Sequence, residues 1–123
     1  MEIPQTDGEA IRAVIAAQLA AFRANNGSQA FLYAAPAIRE QFKTVDNFIH
    51  MVKTAYAPVY QPRGVLFGTV STMQGIPAQS VFFMGADGEV VQAVYLMEKL
   101  VSGDWRIAGC FLVPMDEILD GEE

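Results

Sequence analysis

The spacing of apolar positions along the chain changes once, near Gly64. Before Gly64, apolar side chains recur every three to four residues, which is the period of an amphipathic helix. After it, β-branched and aromatic residues form short runs separated by turns that contain glycine, a pattern typical of antiparallel strands. The pattern therefore predicts a helical N-terminal half followed by a sheet.

The first helix is predicted from Thr6 to about Ala24, on one apolar stripe: Ile11, Val14, Ile15, Leu19 and Phe22. Thr6 and Glu9 have the spacing of a capping box. The Asn25-Asn26-Gly27 stretch is expected to supply the left-handed residue that ends this helix.

Three shorter helices are expected next. Ser28 is predicted to cap one, AIREQF to form the second, and Thr44 to cap the third, whose apolar face includes Phe48 and Val52. The segment APVYQPR contains two prolines and is predicted to be an extended linker or an edge strand.

Four strands are predicted from VLFGTVSTM, SVFFM, EVVQAVYLMEKLV and WRIAGCFLV. Short turns make sequential strands antiparallel neighbours. The predicted fold class is α+β, with N-terminal helices packed on a curved antiparallel four-stranded meander. We expect a single domain over residues 1–123, with a core at about 6–114 and an acidic C-terminal tail, 115–123, that frays.

The last hairpin allows a prediction of register. If Gly103 is the left-handed residue of a three-residue loop, Leu100 pairs with Asp104 and Glu98 lies opposite Arg106. Two faces follow from this register. One carries Tyr95, Met97, Trp105, Ile107 and Phe111; the other carries Gln92, Val94, Leu96, Cys110 and Leu112.

Both faces of the predicted sheet are rich in large apolar side chains, although the helices can cover only one of them. We therefore predict a homodimer through the outer face, at Val94, Leu96, Cys110 and Leu112. The alternative is a monomer that tolerates an exposed apolar patch.

Charge and composition exclude several partners. The 123 residues carry a net charge of −6, and the eight basic residues are scattered, so we expect no nucleic-acid partner. No apolar run approaches the length of a membrane span, so we expect no membrane partner. The N-terminus shows no signal peptide, which predicts a cytoplasmic location if Met1 is the native start.

The chain has one cysteine, Cys110, and one histidine, His50. This excludes a cysteine-based zinc site and a two-histidine metal motif, and no carboxylates converge at ligand spacing. We expect no metal and no cofactor. As a nucleophilic dyad the pair is unfavourable, because Cys110 falls in the middle of a strand and His50 on the solvent side of its helix. We favour a structural cysteine and assign no catalytic residue.

Gln18 and the aromatic residues leave two interpretations open. Gln18 lies in an apolar stripe, where its amide either bonds within the core or lines a cavity and meets a ligand. The tyrosine hydroxyls either reach water at the rim of a filled core or, with Arg63, project into a mostly apolar pocket. The candidate ligand-binding residues are Gln18, Tyr33, Tyr56, Tyr60, Tyr95 and Trp105.

The stretches VIAAQLAAFRANNG, YAAPAIREQF, NFIHMVKTAYAPVYQPR and GDWRIAGC resemble a bacterial domain-of-unknown-function family within the nuclear transport factor 2-like superfamily. The resemblance runs from about Ile11 to Leu112 and implies a SnoaL-like cone. That superfamily includes ketosteroid isomerases, polyketide cyclases, scytalone dehydratases, dioxygenase small subunits and non-catalytic dimerisation modules. Fold alone therefore implies no single activity.

The leading hypothesis is an uncharacterised, non-catalytic dimeric domain that holds a small apolar or aromatic ligand in its cone. One alternative is an enzyme of the isomerase, dehydratase or cyclase kind, in which tyrosine or glutamine hydrogen bonds stabilise an enolate-like state. The other is a protein-interaction module that uses the outer sheet face.

Overall fold

The computed structural model describes residues 3–85 and 87–113. Five helices precede four strands. The helices are α1 (Gln5–Arg23), α2 (Gly27–Leu32), α3 (Pro36–Phe42), α4 (Val45–Ala55) and α5 (Ala57–Tyr60). The strands are β1 (Gly64–Met73), β2 (Ile76–Met84), β3 (Val90–Lys99) and β4 (Trp105–Val113). The predicted acidic tail lies outside the described residues.

Helix α1 begins one residue earlier than predicted. The carbonyl of Pro4 already accepts the Gly8 N–H at 2.9 Å, so Thr6 lies inside the helix and caps nothing. The predicted capping box is therefore wrong. The end of the helix is confirmed: Asn25 has a φ of 56° and is the left-handed residue.

Single side chains cap two of the later helices, α2 and α4. Asn26, rather than the predicted Ser28, caps α2, because its Oδ1 accepts the backbone N–H of Gln29. Thr44 caps α4 as predicted. Ala57–Tyr60 forms a short helix instead of an extended linker, since a proline in the first helical turn loses no hydrogen bond there.

The four strands form one antiparallel sheet in the order β1-β2-β3-β4. This confirms the predicted α+β class with helices on a curved meander. Strand β2 begins at Ile76 and not at Ser80, because Gln74 and Gly75, both with positive φ, make a two-residue turn. Pro77 is tolerated in this strand because β3 pairing begins only at the next residue.

The hairpin between β3 and β4 has the predicted loop. Leu100 N–H donates to Asp104, Gly103 has a φ of 98°, and Glu98 lies opposite Arg106. Beyond this point the register shifts by one residue, since Met97 pairs with Ile107 but Leu96 pairs with Gly109. Ala108 is thus an extra residue, a β-bulge.

This bulge overturns part of the predicted face assignment. Because strand side chains alternate, one extra residue moves everything beyond it to the opposite face. Cys110 now pairs with Tyr95, and Leu112 with Ala93, on the face that packs against the helices. Phe111 pairs with Val94 and is 38% exposed on the outer face. Cys110 and Leu112 therefore do not belong to the outer face.

Strand β4 is an edge strand whose middle is covered by the chain between α2 and α3. The N–H of Ile107 donates to the carbonyl of Tyr33 at 2.9 Å, and the Ile107 carbonyl accepts from Ala35 N–H at 2.8 Å. These bonds satisfy backbone groups that an uncovered edge would expose. They also hold the helical half against the sheet at the level of the bulge.

The core lies between the inner face of the sheet and the helices. Its largest fully buried side chains are Tyr95, Phe22, Phe83, Ile11, Ile15, Met97, Gln79 and Val81. Full burial of one large apolar side chain stabilises the fold by about 1.5–3 kcal/mol. Trp105 and Ile107 join this core from β4.

We predict that Gly103→Ala lowers the free energy of unfolding by about 1–2 kcal/mol, since a Cβ is strained at positive φ. Space is not limiting there, because an added Cβ would meet nothing within 4 Å. Gly109→Ala is the matched control: its φ is not positive and its nearest contact is Leu96 at 3.6 Å. Urea unfolding followed by Trp105 fluorescence measures both. Equal losses in the two variants would contradict the turn argument.

Candidate functional site

A cavity of about 410 Å³ lies between the helices and the inner face of the sheet. Its volume is within the range of small-molecule sites. The exposed residues Gln41 and Ala55 are part of its lining and mark where it meets the surface. The lining is Gln18, Phe22, Ala34, Ile38, Gln41, Phe42, Phe48, Met51, Val52, Ala55, Tyr56, Val59, Tyr95, Ile107, Gly109 and Cys110.

The structure brings three of the six candidate residues to this cavity: Gln18, Tyr56 and Tyr95. They come from α1, from the junction of α4 and α5, and from β3. These elements are far apart in sequence, so the cavity exists only because the helices fold back over the sheet.

The other three candidates lie elsewhere. The hydroxyl of Tyr33 accepts a hydrogen bond from Gln29 at 3.1 Å, and that of Tyr60 donates to Asn25 at 2.9 Å. Trp105 packs in the core, with the Lys99 ammonium 5.8 Å from its ring centroid. None of the three lines the cavity, and neither does Arg63.

Gln18 is held by one hydrogen bond within the protein. Its side chain is 4% exposed, and its Nε2 donates to the carbonyl oxygen of Ala30 at 3.1 Å. This bond joins α1 to α2. The amide thus both bonds within the core and lines the cavity, and its contact with a ligand stays a prediction.

Tyr56 ties the end of α4 to the sheet. Its hydroxyl donates to the backbone carbonyl of Cys110 at 2.7 Å. Desolvation, and then the nearby Cys110 thiol, raise the pKa of Tyr56. The phenol is therefore a neutral donor at physiological pH.

The hydroxyl of Tyr95 is buried and has no hydrogen-bond partner among the described residues. Complete burial raises the pKa of Tyr95 well above its usual value, and the neighbouring Cys110 and Tyr56 raise it further. A buried hydroxyl without a partner costs about 1–3 kcal/mol. The Tyr95 hydroxyl beside the cavity therefore lowers the stability of the fold, because no hydrogen bond within the protein replaces the hydration that it lost.

Cys110 does not form an activated dyad with His50. Burial raises the pKa of the Cys110 thiol to about 12, so the thiol stays protonated, whereas a nucleophilic cysteine needs a lowered pKa. His50 is exposed on α4 and does not line the cavity that contains Cys110. The thiol acts here as a small, weakly polar wall of the cavity.

The described cavity lining contains no Asp, Glu, Lys, Arg or His. Over residues 3–85 and 87–113, no three side chains of the metal-binding types converge on a common point. Within the same ranges, no helix has the length and apolarity needed to cross a bilayer.

Most of the lining residues were not predicted as site residues. Phe22, Phe48 and Val52 were assigned to the core through their helical spacing, and that signal does not distinguish a core wall from a cavity wall. Cys110 was placed on the wrong face because a bulge has no sequence signature as clear as a turn. The proline-containing α5 segment, which supplies Val59, was expected to be extended.

A protein-family model matches residues 4–118, which is most of the chain. It describes a domain of unknown function, DUF4864. The chain belongs to this family. No curated protein and no solved structure matches the chain. The predicted membership of a domain-of-unknown-function family is thus confirmed.

We predict opposite effects from removing two tyrosine hydroxyls. Tyr56→Phe should lower the free energy of unfolding by about 1 kcal/mol, because it deletes the bond to the Cys110 carbonyl. Tyr95→Phe should leave it unchanged or raise it by up to about 1 kcal/mol, because the deleted hydroxyl has no partner. Chemical denaturation of the ligand-free protein measures both. A clear loss of stability in Tyr95→Phe would show that its hydroxyl is satisfied in solution.

Proposed function

We propose that this domain binds a small, uncharged and largely apolar molecule in its cavity. The observation that carries the proposal is a cavity of about 410 Å³ whose described lining has no charged side chain. Burying an unpaired charge among such residues costs several kcal/mol, whereas apolar surface gains about 25 cal/mol for each Å² buried.

The aromatic side chains favour a flat or ring-containing ligand. Phe48 is the centre of a cluster in which its ring centroid lies 6.3 Å from that of Phe22 and 6.0 Å from that of Phe42. All three rings line the cavity. Rings at this spacing present faces and edges on which a further aromatic group can pack.

We favour binding over acid–base catalysis. General acid–base chemistry at neutral pH needs a group whose pKa lies near 7. The titratable groups of the described lining are Tyr56, Tyr95 and Cys110, and in all three the pKa is raised. An isomerase or dehydratase mechanism would have to proceed with neutral hydrogen-bond donors alone, and this makes it the second hypothesis.

We also propose that DUF4864 domains are a branch of the nuclear transport factor 2-like superfamily. The helices lie over the inner face of a curved four-stranded sheet, and the cavity lies between the two layers. This is the arrangement that the resemblance implies for a cone-shaped fold.

We predict that the hydrocarbon 2-methylnaphthalene binds the wild-type protein, and that Ala55→Trp weakens its affinity at least about tenfold. Ala55 is exposed at the entrance, so a large side chain there closes the cavity without disturbing the core. Ala16→Trp is the control, because Ala16 is exposed on α1 and does not line the cavity. Equilibrium dialysis and thermal stabilisation measure binding. Absence of binding to the wild-type protein would refute the proposed function.

We further propose that the domain forms a homodimer through the outer face of its sheet. Strand alternation and the pairing registers place five exposed large apolar residues on this face: Leu66, Met73, Ile76, Met84 and Phe111. Val94 and Leu96 lie among them, as predicted, but Cys110 and Leu112 do not. Large exposed apolar patches on a protein surface mark interaction sites, so this group of side chains on one face favours burial against a partner.

Charge favours a second copy as the partner of this face. The chain has a net charge of −6, so most of its surface repels another copy. The outer face differs, because its charged residues in the described strands are Glu98 and Arg106, which lie opposite each other at one end. Two such faces can meet without opposing like charges over most of their area.

We predict that Leu66→Lys raises the dimer dissociation constant at least about tenfold, because it places an unpaired charge in the apolar contact. Leu32→Lys is the matched control, since Leu32 is 50% exposed on α2, away from the sheet. Sedimentation equilibrium measures both. A wild-type protein that stays monomeric at high concentration would contradict the dimer and favour a different protein partner.

A further inference from the structure

Gln18 carries a polar atom that the protein itself does not satisfy. Its amide nitrogen donates to Ala30, as described above. Among the residues that the structure describes, none donates a hydrogen bond to the other end of the amide, Oε1. The side chain is 4% exposed and lines the cavity. Gln18 Oε1 is not one of the buried side-chain atoms that lack a hydrogen-bond partner, so it is open to the cavity that Gln18 lines. An occupant of the cavity can therefore donate a hydrogen bond to it.

The carbonyl of Ala30 determines which end of the Gln18 amide is free. Ala30 is fully buried on α2, and a carbonyl oxygen accepts hydrogen bonds but donates none. If the amide turned over, its oxygen would face the Ala30 oxygen, and a hydrogen bond would be replaced by repulsion. The nitrogen therefore stays on Ala30, and the atom left for a ligand is an acceptor.

The surroundings of Gln18 favour a donor without a formal charge. An ammonium group would find no carboxylate in the described lining, and an acid would find no basic side chain. Either ion would lose its hydration without gaining an ion pair. A neutral hydroxyl or N–H group meets an amide oxygen without that loss.

We infer that the molecule bound in the cavity is uncharged and bears a hydroxyl or N–H group that donates a hydrogen bond to Gln18 Oε1. This inference rests on the proposed binding function and specifies the ligand. Gln18 acts as the specificity-determining residue of the site. The aromatic side chains bind the apolar body of the ligand, and the amide selects its polar group.

The test compares two probes of nearly equal shape, 2-naphthol and 2-methylnaphthalene, in the wild-type protein and in Gln18→Met. We expect the ratio of their affinities to shift about tenfold towards 2-methylnaphthalene in the variant, the effect of one lost hydrogen bond. The cost of removing each probe from water cancels between the two proteins. Gln29→Met is the matched control, because it makes the same replacement at an exposed glutamine that does not line the cavity, and it should leave the ratio unchanged. Tyr95→Phe tests separately the other unpartnered polar atom beside the cavity.

The outcomes separate this inference from the proposed function. If both probes bind and the ratio is the same in Gln18→Met, the inference is wrong while the binding function stands. The inference is equally wrong if only Tyr95→Phe changes the ratio. Tighter binding of 2-naphthoate or 2-naphthylmethylammonium than of 2-naphthol would overturn the claim of an uncharged ligand. If no probe binds the wild-type protein, the binding function itself fails.

A measurement on the wild-type protein makes the test independent of the folding of Gln18→Met, which loses the bond to Ala30. The side-chain carbonyl carbon of Gln18 should shift its NMR resonance with 2-naphthol and much less with 2-methylnaphthalene, because only the former donates to Oε1. Equal shifts with the two probes would overturn the inference.

Discussion

The extra residue in β4 determines which side chains of the second half of that strand face the helices. Ala108 has no partner in β3, and a bulge increases the local bend and twist of its strand. Just before it, Ile107 uses its backbone groups to bind the chain between α2 and α3. Just after it, Cys110 points inward and its carbonyl accepts from Tyr56. The face on which Cys110 and Leu112 lie, and with it one wall of the cavity, therefore depends on one residue.

The described lining of the cavity contains few polar side chains, and none of them is an Asp, Glu, Lys, Arg or His. Three titratable side chains line it, and burial keeps each of them neutral. One hydroxyl, that of Tyr95, and one amide oxygen, that of Gln18, have no partner among the described residues. The Tyr95 hydroxyl is buried as well as unpartnered, and it therefore lowers stability in the empty protein. In our proposal, the Gln18 oxygen is the group by which the site selects a neutral ligand.

Sequence patterns predicted the order and class of the elements well, because helical and strand periods differ and because turns use few residue types. The loop at Gly103 and the pair Glu98–Arg106 followed from turn chemistry and charge. The face of Cys110 did not, since it depends on a bulge, which has no sequence signature as clear as a turn. The cavity was predicted only through Gln18, Tyr56 and Tyr95; Tyr33, Tyr60 and Trp105 have other partners.

By itself, the sequence determined which segments become helices and strands, that the chain is acidic, and that no second histidine or cysteine is present for a metal or nucleophilic site. These properties depend on local spacing and on residue type. Tertiary structure alone decided which apolar residues leave a cavity between them, and on which side of the sheet Cys110 lies. The physical reason is that packing and register depend on contacts between residues far apart in the chain, which no local pattern records.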